Sequence, residues 1–140
     1  MRARLVYNGA IVILLGLLAG FPYAMVVTGG MTGEERAWRM AHLEGVLNGL
    51  LALAAAGVWD ALVLSPRQRS WLALSLIFTG HANVIASIVG AFFGVRGLAL
   101  ALPFTNVIVY TLFVLAIVAV FVGVVLLVRG GAQAVRSGAV

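Results

Sequence analysis

Three polar side chains, His42, Glu44 and Asn48, lie close together in an otherwise apolar part of the sequence. In a helix, which turns by about 100° per residue, Glu44 and Asn48 share a face because they are four residues apart. His42 points about 200° away from Glu44 and about 240° away from Asn48. The spacing therefore predicts an imidazole on one side of a helix and a carboxylate–amide pair on another.

A later apolar stretch carries a second polar set, in which Asn83 and Ser87 are four residues apart and His81 precedes them. Asn48 lies about 9 Å beyond His42 along a helix. If the later helix runs in the opposite direction, Asn83 and Ser87 reach about the depth of Asn48. We therefore expect a polar pocket between these two helices.

The residues alone leave three interpretations of His42 open. It is a structural histidine bonded to a backbone carbonyl, a metal or haem ligand, or a proton relay with Glu44. The sequence has no H-E-x-x-H pair and no glycine-rich phosphate loop. It also has no cysteine, which excludes cysteine-ligated zinc, iron–sulfur and haem sites.

The composition predicts that these side chains lie in a membrane. Of 140 residues, 64% are hydrophobic and 9% are charged, whereas a soluble domain is about 25% charged. We predict an all-α membrane protein with a single domain over residues 1–140. A bilayer needs about 20 helical residues, and four apolar stretches are long enough: 6–27, 41–64, 71–94 and 103–128. The first exceeds the apolar region of a cleavable signal, so we expect a retained helix.

The nine arginines indicate orientation rather than nucleic-acid binding, because they are spread over the chain ends and connections. Cytoplasmic loops carry the excess of basic residues, which predicts an inner-membrane protein with both termini in the cytoplasm. Asp60, at the same boundary as Arg67 and Arg69, is interpreted as a boundary charge. Six arginines fall on the predicted cytoplasmic side and three on the other: Arg2, Arg4, Arg67, Arg69, Arg129 and Arg136 against Arg36, Arg39 and Arg96.

Several short patterns predict how the helices begin and pack. Thr32 and Glu35 have the spacing of a capping box for the second helix, and residues 65–70 are interpreted as a tight polar turn. Glycine pairs four residues apart let helices approach closely, either within one subunit or between subunits. These pairs are Gly16/Gly20, Gly45/Gly49 and Gly90/Gly94.

The sequence resembles the styrene oxide isomerase and hydroxylaminobenzene mutase family at residues 39–49 (RMAHLEGVLNG), 82–84 (ANV) and 96–98 (RGL). The resemblance implies a four-helix membrane enzyme assembled as a homotrimer, with ferric haem b between neighbouring subunits. His42 matches the histidine that binds the iron. Asn48 matches the asparagine that lines the open side of the iron.

Two departures from the isomerases bear on the reaction. Ser87 stands where those enzymes have a pocket tyrosine, and His81 stands where they have tryptophan. The His-Leu-Glu-Gly run and the short chain are more similar to the mutases, which convert an arylhydroxylamine to an aminophenol. The resemblance thus favours a mutase of aromatic compound degradation, with epoxide-to-aldehyde isomerisation as the alternative.

The resemblance also implies roles for individual residues. With His42 as axial ligand, the iron is a Lewis acid, and Asn48 and Asn83 orient a small aromatic substrate. Glu44 is a candidate proton shuttle, or else a structural residue or a partner of an arginine. Arg96 is a candidate partner of a haem propionate. A further alternative is a non-catalytic subunit, either for electron transfer with His81 as second axial ligand or for transport.

Overall fold

The computed structural model describes residues 1–138, which form four α-helices, one short 3-10 helix and their connections. All four α-helices are long and apolar enough to cross a membrane, which confirms the predicted all-helical fold and fits a multi-pass membrane protein. The α-helices are α1 (Arg2–Val27), α2 (Glu35–Gly57), α3 (Pro66–Phe93) and α4 (Phe104–Ser137), and the 3-10 helix is Trp59–Ala61.

The helix limits differ from those predicted by hydropathy, because polar and charged residues extend or end the helices. Helix α1 begins at Arg2 rather than at residue 6. Helix α2 begins at Glu35 and ends at Gly57, earlier at both ends than the predicted 41–64. Helix α4 has 34 residues, about 51 Å at 1.5 Å per residue, so it continues well past a hydrocarbon layer of about 30 Å.

The capping box is at a different place from the one predicted. Glu34 is the N-cap of α2 and makes no side-chain cap hydrogen bond, so the box predicted from Thr32 and Glu35 is wrong. Instead, Ser65 and Gln68 form a reciprocal capping box at the start of α3. The segment 65–70, interpreted as a turn, is therefore the first part of α3.

Arg69 holds the connection between α2 and α3 in place. Its guanidinium donates hydrogen bonds to the carbonyl oxygens of Trp59 at 2.8 Å, Leu62 at 2.7 Å and Leu64 at 3.4 Å. It also lies 5.4 Å from the centre of the Trp59 ring, a cation–π distance. The extended segment after α2 thus has its carbonyls satisfied by one side chain.

Helices α1 and α2 pack closely because glycines face each other across their interface. A Cβ on Gly45 would overlap the backbone of Gly16, and one on Gly49 would come within 2.6 Å of the Gly9 carbonyl oxygen. Packing within one subunit is therefore confirmed for these glycines. Gly94 instead ends α3 in a left-handed conformation (φ 65°), with no atom of the chain within 4 Å of a Cβ built on it, so the Gly90/Gly94 pair does not form a helix interface within one subunit.

Three contacts fix which ends of the helices lie together. Arg2 pairs with Asp60 at 2.6 Å, which fits the interpretation of Asp60 as a boundary charge. The Val63 amide donates to the Gly130 carbonyl at 3.2 Å. We call the end of the molecule that holds these two contacts the terminal end. At the other end, called here the loop end, Arg96 pairs with Glu34 at 2.9 Å.

Candidate functional site

His42 occupies a notch in α1 that two glycines create. Its Nδ1 lies 2.9 Å from the carbonyl oxygen of Gly16. A Cβ on Gly20 would come within 3.0 Å of the same nitrogen, so a larger side chain there would displace the ring. A carbonyl oxygen only accepts hydrogen bonds, so Nδ1 carries the proton and Nε2 keeps a free lone pair.

On another side of α2, Glu44, Asn48 and Asn83 form one hydrogen-bonded set. The Asn48 Nδ2 donates to the Glu44 carboxylate and to the Glu44 backbone carbonyl, each at 2.8 Å. The Asn48 Oδ1 accepts from the Asn83 Nδ2 at 3.4 Å. The predicted common face of Glu44 and Asn48, and the predicted common depth of Asn48 and Asn83, are both confirmed. No arginine pairs with Glu44 among the described residues.

Within one chain, the histidine and the carboxylate–amide set remain apart. His42 contacts α1, whereas Asn48 contacts α3. Between them α2 presents an exposed apolar strip formed by Leu43, Leu47 and Leu50. The two polar groups therefore border this strip on opposite sides, as two half-sites on one helix.

A cavity of about 350 Å³ opens between α2 and α4, with α3 as its floor. Glu44 and Ser87 supply polar groups inside it, and the Glu34–Arg96 ion pair lies at its rim. Most of the remaining wall is apolar, including Met40, Ala86, Gly90, Leu98, Val109 and Phe113. The expected polar pocket is found only in part: Ser87 lines this mostly apolar cavity, but Asn48 and Asn83 do not. Asn48 instead binds Glu44 from beside the cavity, and Asn83 binds Asn48.

Asn106 shapes the cavity although the sequence indicated no role for it. Its Oδ1 accepts from the Gly97 amide, and its Nδ2 donates to the carbonyls of Ala99 and Ala101, each at 2.9 Å. A single side chain thus holds the connection between α3 and α4. A signal was present in the sequence, since an asparagine near the start of a very apolar helix needs polar partners.

His81 lies outside both half-sites. Its Nδ1 is 3.0 Å from the carbonyl oxygen of Ile77, one turn earlier in its own helix. It is half-buried and does not line the cavity. Within one chain it makes no hydrogen bond to the Glu44–Asn48–Asn83 set, so its predicted role as a second axial ligand has no support from this arrangement.

The chemistry of His42 fits a haem ligand. An axial histidine donates one ring N–H to a carbonyl or carboxylate, which orients the ring and leaves the other nitrogen for the iron. The bond to Gly16 supplies that donation. Within residues 1–138 no three histidine, aspartate or glutamate side chains come together as a metal-binding group.

Comparisons with known proteins show what the chain is similar to. A sequence model of the styrene oxide isomerase family matches residues 1–132. Hydroxylaminobenzene mutase HabB from Ectopseudomonas oleovorans is 34% identical over 97 residues, which are 69% of this chain and 56% of the mutase. The chain thus spans little more than half the length of this curated relative.

Proposed function

The chain belongs to the styrene oxide isomerase family, and from this premise we propose that it is a membrane-embedded, haem-b-dependent isomerase. The proposed reaction is a redox-neutral rearrangement of a small aromatic substrate, of the hydroxylaminobenzene mutase type, from arylhydroxylamine to aminophenol. The observation that carries the proposal is the hydrogen-bonded Glu44–Asn48–Asn83 set beside an apolar cavity. The similarity to the mutase supports this branch.

The residues of the cavity suit a substrate that donates hydrogen bonds. The Oε2 of Glu44 is held by Asn48, and the carboxylate also lines the cavity with Ser87. A carboxylate accepts hydrogen bonds, so it can bind the N–H or O–H of an arylhydroxylamine. An epoxide has acceptors only, and its recognition would need a donor such as the Ser87 hydroxyl.

Glu44 is also placed to carry a proton. The mutase reaction breaks an N–O bond, forms a ring C–O bond and moves one proton from ring carbon to nitrogen, so the atoms balance without a co-reactant. A carboxylate within reach of the substrate can accept that proton and return it. Asn48 orients the carboxylate through the bond from its Nδ2. Apolar residues form most of the wall beside Glu44, and such a wall would limit the access of water to a reactive intermediate.

The proposed haem would be held by His42, with Arg96 as the candidate partner of a propionate. When bound, it would supply a Lewis-acidic ferric iron that weakens an N–O or C–O bond. Arg96 pairs with Glu34 in the single chain, so binding a propionate would require Arg96 to exchange or share this partner. The two half-sites on α2 are compatible with a ring of subunits in which His42 of one subunit and Asn48 of the next would share a haem, and the homotrimer is proposed from the family resemblance.

Styrene oxide isomerisation is the second candidate, because the matching family model carries that activity in its name. The test uses protein purified from a haem-supplied host, with phenylhydroxylamine and styrene oxide given separately. For the wild-type protein we expect a Soret band at about 400 nm and conversion of phenylhydroxylamine to an aminophenol.

Two variants make this test specific. His42→Ala should lose both the Soret band and turnover, whereas the control His81→Ala should keep both. Colourless wild-type protein would contradict the haem proposal. Turnover of the epoxide alone would contradict the mutase branch, and a low-spin spectrum lost in His81→Ala would favour an electron-transfer subunit.

A further inference from the structure

The connection between α3 and α4, residues 94–103, is unusually apolar and is called here the leucine loop. Its sequence alternates leucine with alanine from Leu98 to Leu102. Leu98, Leu100 and Leu102 are 80%, 69% and 85% exposed. Apolar patches of this kind mark a surface that contacts something other than water.

The leucine loop does not extend away from the helices but folds back beside α4. A Cβ on Gly97 would lie 2.9 Å from the Tyr110 amide nitrogen and against the Val109 side chain. Val109 is five residues after Phe104, the first residue of α4, which is about 7.5 Å along the helix. Gly97 therefore lies beside the second turn of α4, a helix long and apolar enough to cross a membrane.

Part of the polar backbone of the leucine loop has protein partners. Asn106 binds the Gly97 amide and the carbonyls of Ala99 and Ala101. Arg96, the one charged residue of the loop, pairs with Glu34. Among the described residues, the amides of positions 98–102 have no hydrogen-bond partner. Irregular backbone without protein partners is not tolerated in the hydrocarbon core, so the loop fits the level of the lipid glycerol groups, where ester carbonyls and water can accept these hydrogen bonds.

The other connection at the loop end has a different character. Residues 28–34, between α1 and α2, contain three glycines, two threonines and Glu34. Thr32 is exposed. Both connections are at the same end of the molecule. Residues 28–34 have the composition of a segment in water, whereas the leucine loop does not.

We propose that the leucine loop inserts into the leaflet at the loop end and that Leu98, Leu100 and Leu102 contact lipid near the glycerol level. Exposed phenylalanines of α3 and α4 on either side continue the same apolar surface, namely Phe92, Phe93 and Phe104. Leu98 also lines the cavity, so the loop separates the cavity from lipid. This proposal is independent of the proposed function, since it concerns the loop and the bilayer alone.

The test uses single-cysteine variants. Because the chain has no native cysteine, each variant is labelled at the introduced position alone. Leu100→Cys carries a bimane label and Thr32→Cys is the matched control from the other connection. Both proteins are reconstituted in phosphatidylcholine vesicles containing lipid with a doxyl group at the 5 or the 12 position of an acyl chain. Aqueous iodide is the second quencher.

For Leu100→Cys we expect strong quenching by lipid with the shallow doxyl group, weaker quenching by the deep one, and iodide quenching several-fold below that of Thr32→Cys. Equal iodide quenching at the two positions would overturn the proposal, because the loop would then be in water. Protection from both lipid-borne and aqueous quenchers, with disulfide cross-links between copies of the Leu100→Cys variant, would overturn it in favour of a contact with a second copy.

Discussion

His42 and Glu44 are two residues apart, yet their surroundings give them different chemistry. The carbonyl of Gly16 orients His42 and leaves its Nε2 lone pair free. The amide of Asn48 orients Glu44 toward a cavity with apolar walls. His42 is suited to binding a metal and Glu44 to exchanging a proton. The partner of each residue lies on the side that faces away from the exposed leucine strip of α2.

At the residue scale, Glu44→Gln separates a catalytic role from a structural one. The glutamine oxygen can still accept the hydrogen bond of Asn48, so the fold and the Soret band should be unchanged. If Glu44 carries the proton, kcat should fall by about 10²–10⁴-fold in the steady-state conversion of phenylhydroxylamine.

Glu35→Gln is the matched control for this variant. Glu35 is exposed in the first turn of α2, 3.9 Å from Arg39, and its charge lies outside the cavity. Its kcat should stay near the wild-type value. A Glu44→Gln variant with wild-type kcat would show that Glu44 is structural.

At the scale of the elements, two features keep α2 in register with its neighbours. The glycines of α1 and α2 let the backbones touch, which brings the Gly16 carbonyl within reach of His42. Arg69 binds three carbonyls after the end of α2 and so fixes where α3 begins. The bond from Asn83 to Asn48 depends on this placement, because it joins α3 to α2.

Gly45→Ala should separate α1 from α2. The added methyl group would overlap the backbone of Gly16, which cannot move as a flexible side chain would. We expect a loss of stability on the order of 1–3 kcal/mol, measured as a lower Tm in detergent. Gly57→Ala is the control, because a Cβ there meets no atom within 4 Å, and a Tm equal for both variants would contradict the packing role.

Arg69→Lys tests the connection between α2 and α3. A lysine ammonium cannot make the forked contacts of a guanidinium, so at least one carbonyl of Trp59, Leu62 or Leu64 would lose its donor. Such a loss costs about 1–3 kcal/mol and should lower Tm in detergent. Arg67→Lys, at an exposed position two residues away, should leave Tm unchanged. An equal drop in both variants would show that the carbonyl contacts of Arg69 are not the cause.

At the scale of the whole molecule, the two half-sites on α2 make a prediction about assembly. If His42 of one subunit and Asn48 of the next share a haem, neither His42→Ala nor Asn48→Ala alone should be active. Mixed trimers made by co-expressing the two variants contain some interfaces with both native residues. Each mixed cyclic trimer has one intact interface among its three, so purified mixed trimers should recover about one third of the wild-type activity.

The measurement is turnover per subunit after tandem purification of complexes that carry both affinity tags. Mixing the two purified variants without subunit exchange is the control and should stay inactive. Activity that remains absent in co-purified mixed complexes would place His42 and Asn48 in the same site of one subunit.

Part of the fold and of the site is determined by local sequence, because helical periodicity acts over a few residues. The four apolar stretches, the common face of Glu44 and Asn48, and the common depth of Asn48 and Asn83 follow from 3.6 residues per turn and antiparallel helices. Hydropathy was a poor guide to helix ends, since Ser65 and Gln68 cap α3 with polar residues that a hydropathy window discards.

Only the tertiary structure decided what each polar side chain contacts. Residue spacing separated His42 from Glu44 and Asn48, and the tertiary structure supplied their partners, the Gly16 carbonyl on one side of α2 and Asn83 on the other. Asn106 holds the leucine loop, Arg69 holds the connection after α2, and Arg2 pairs with Asp60. These partners come from the way the helices and connections fold together, which the spacing of residues along one helix does not encode.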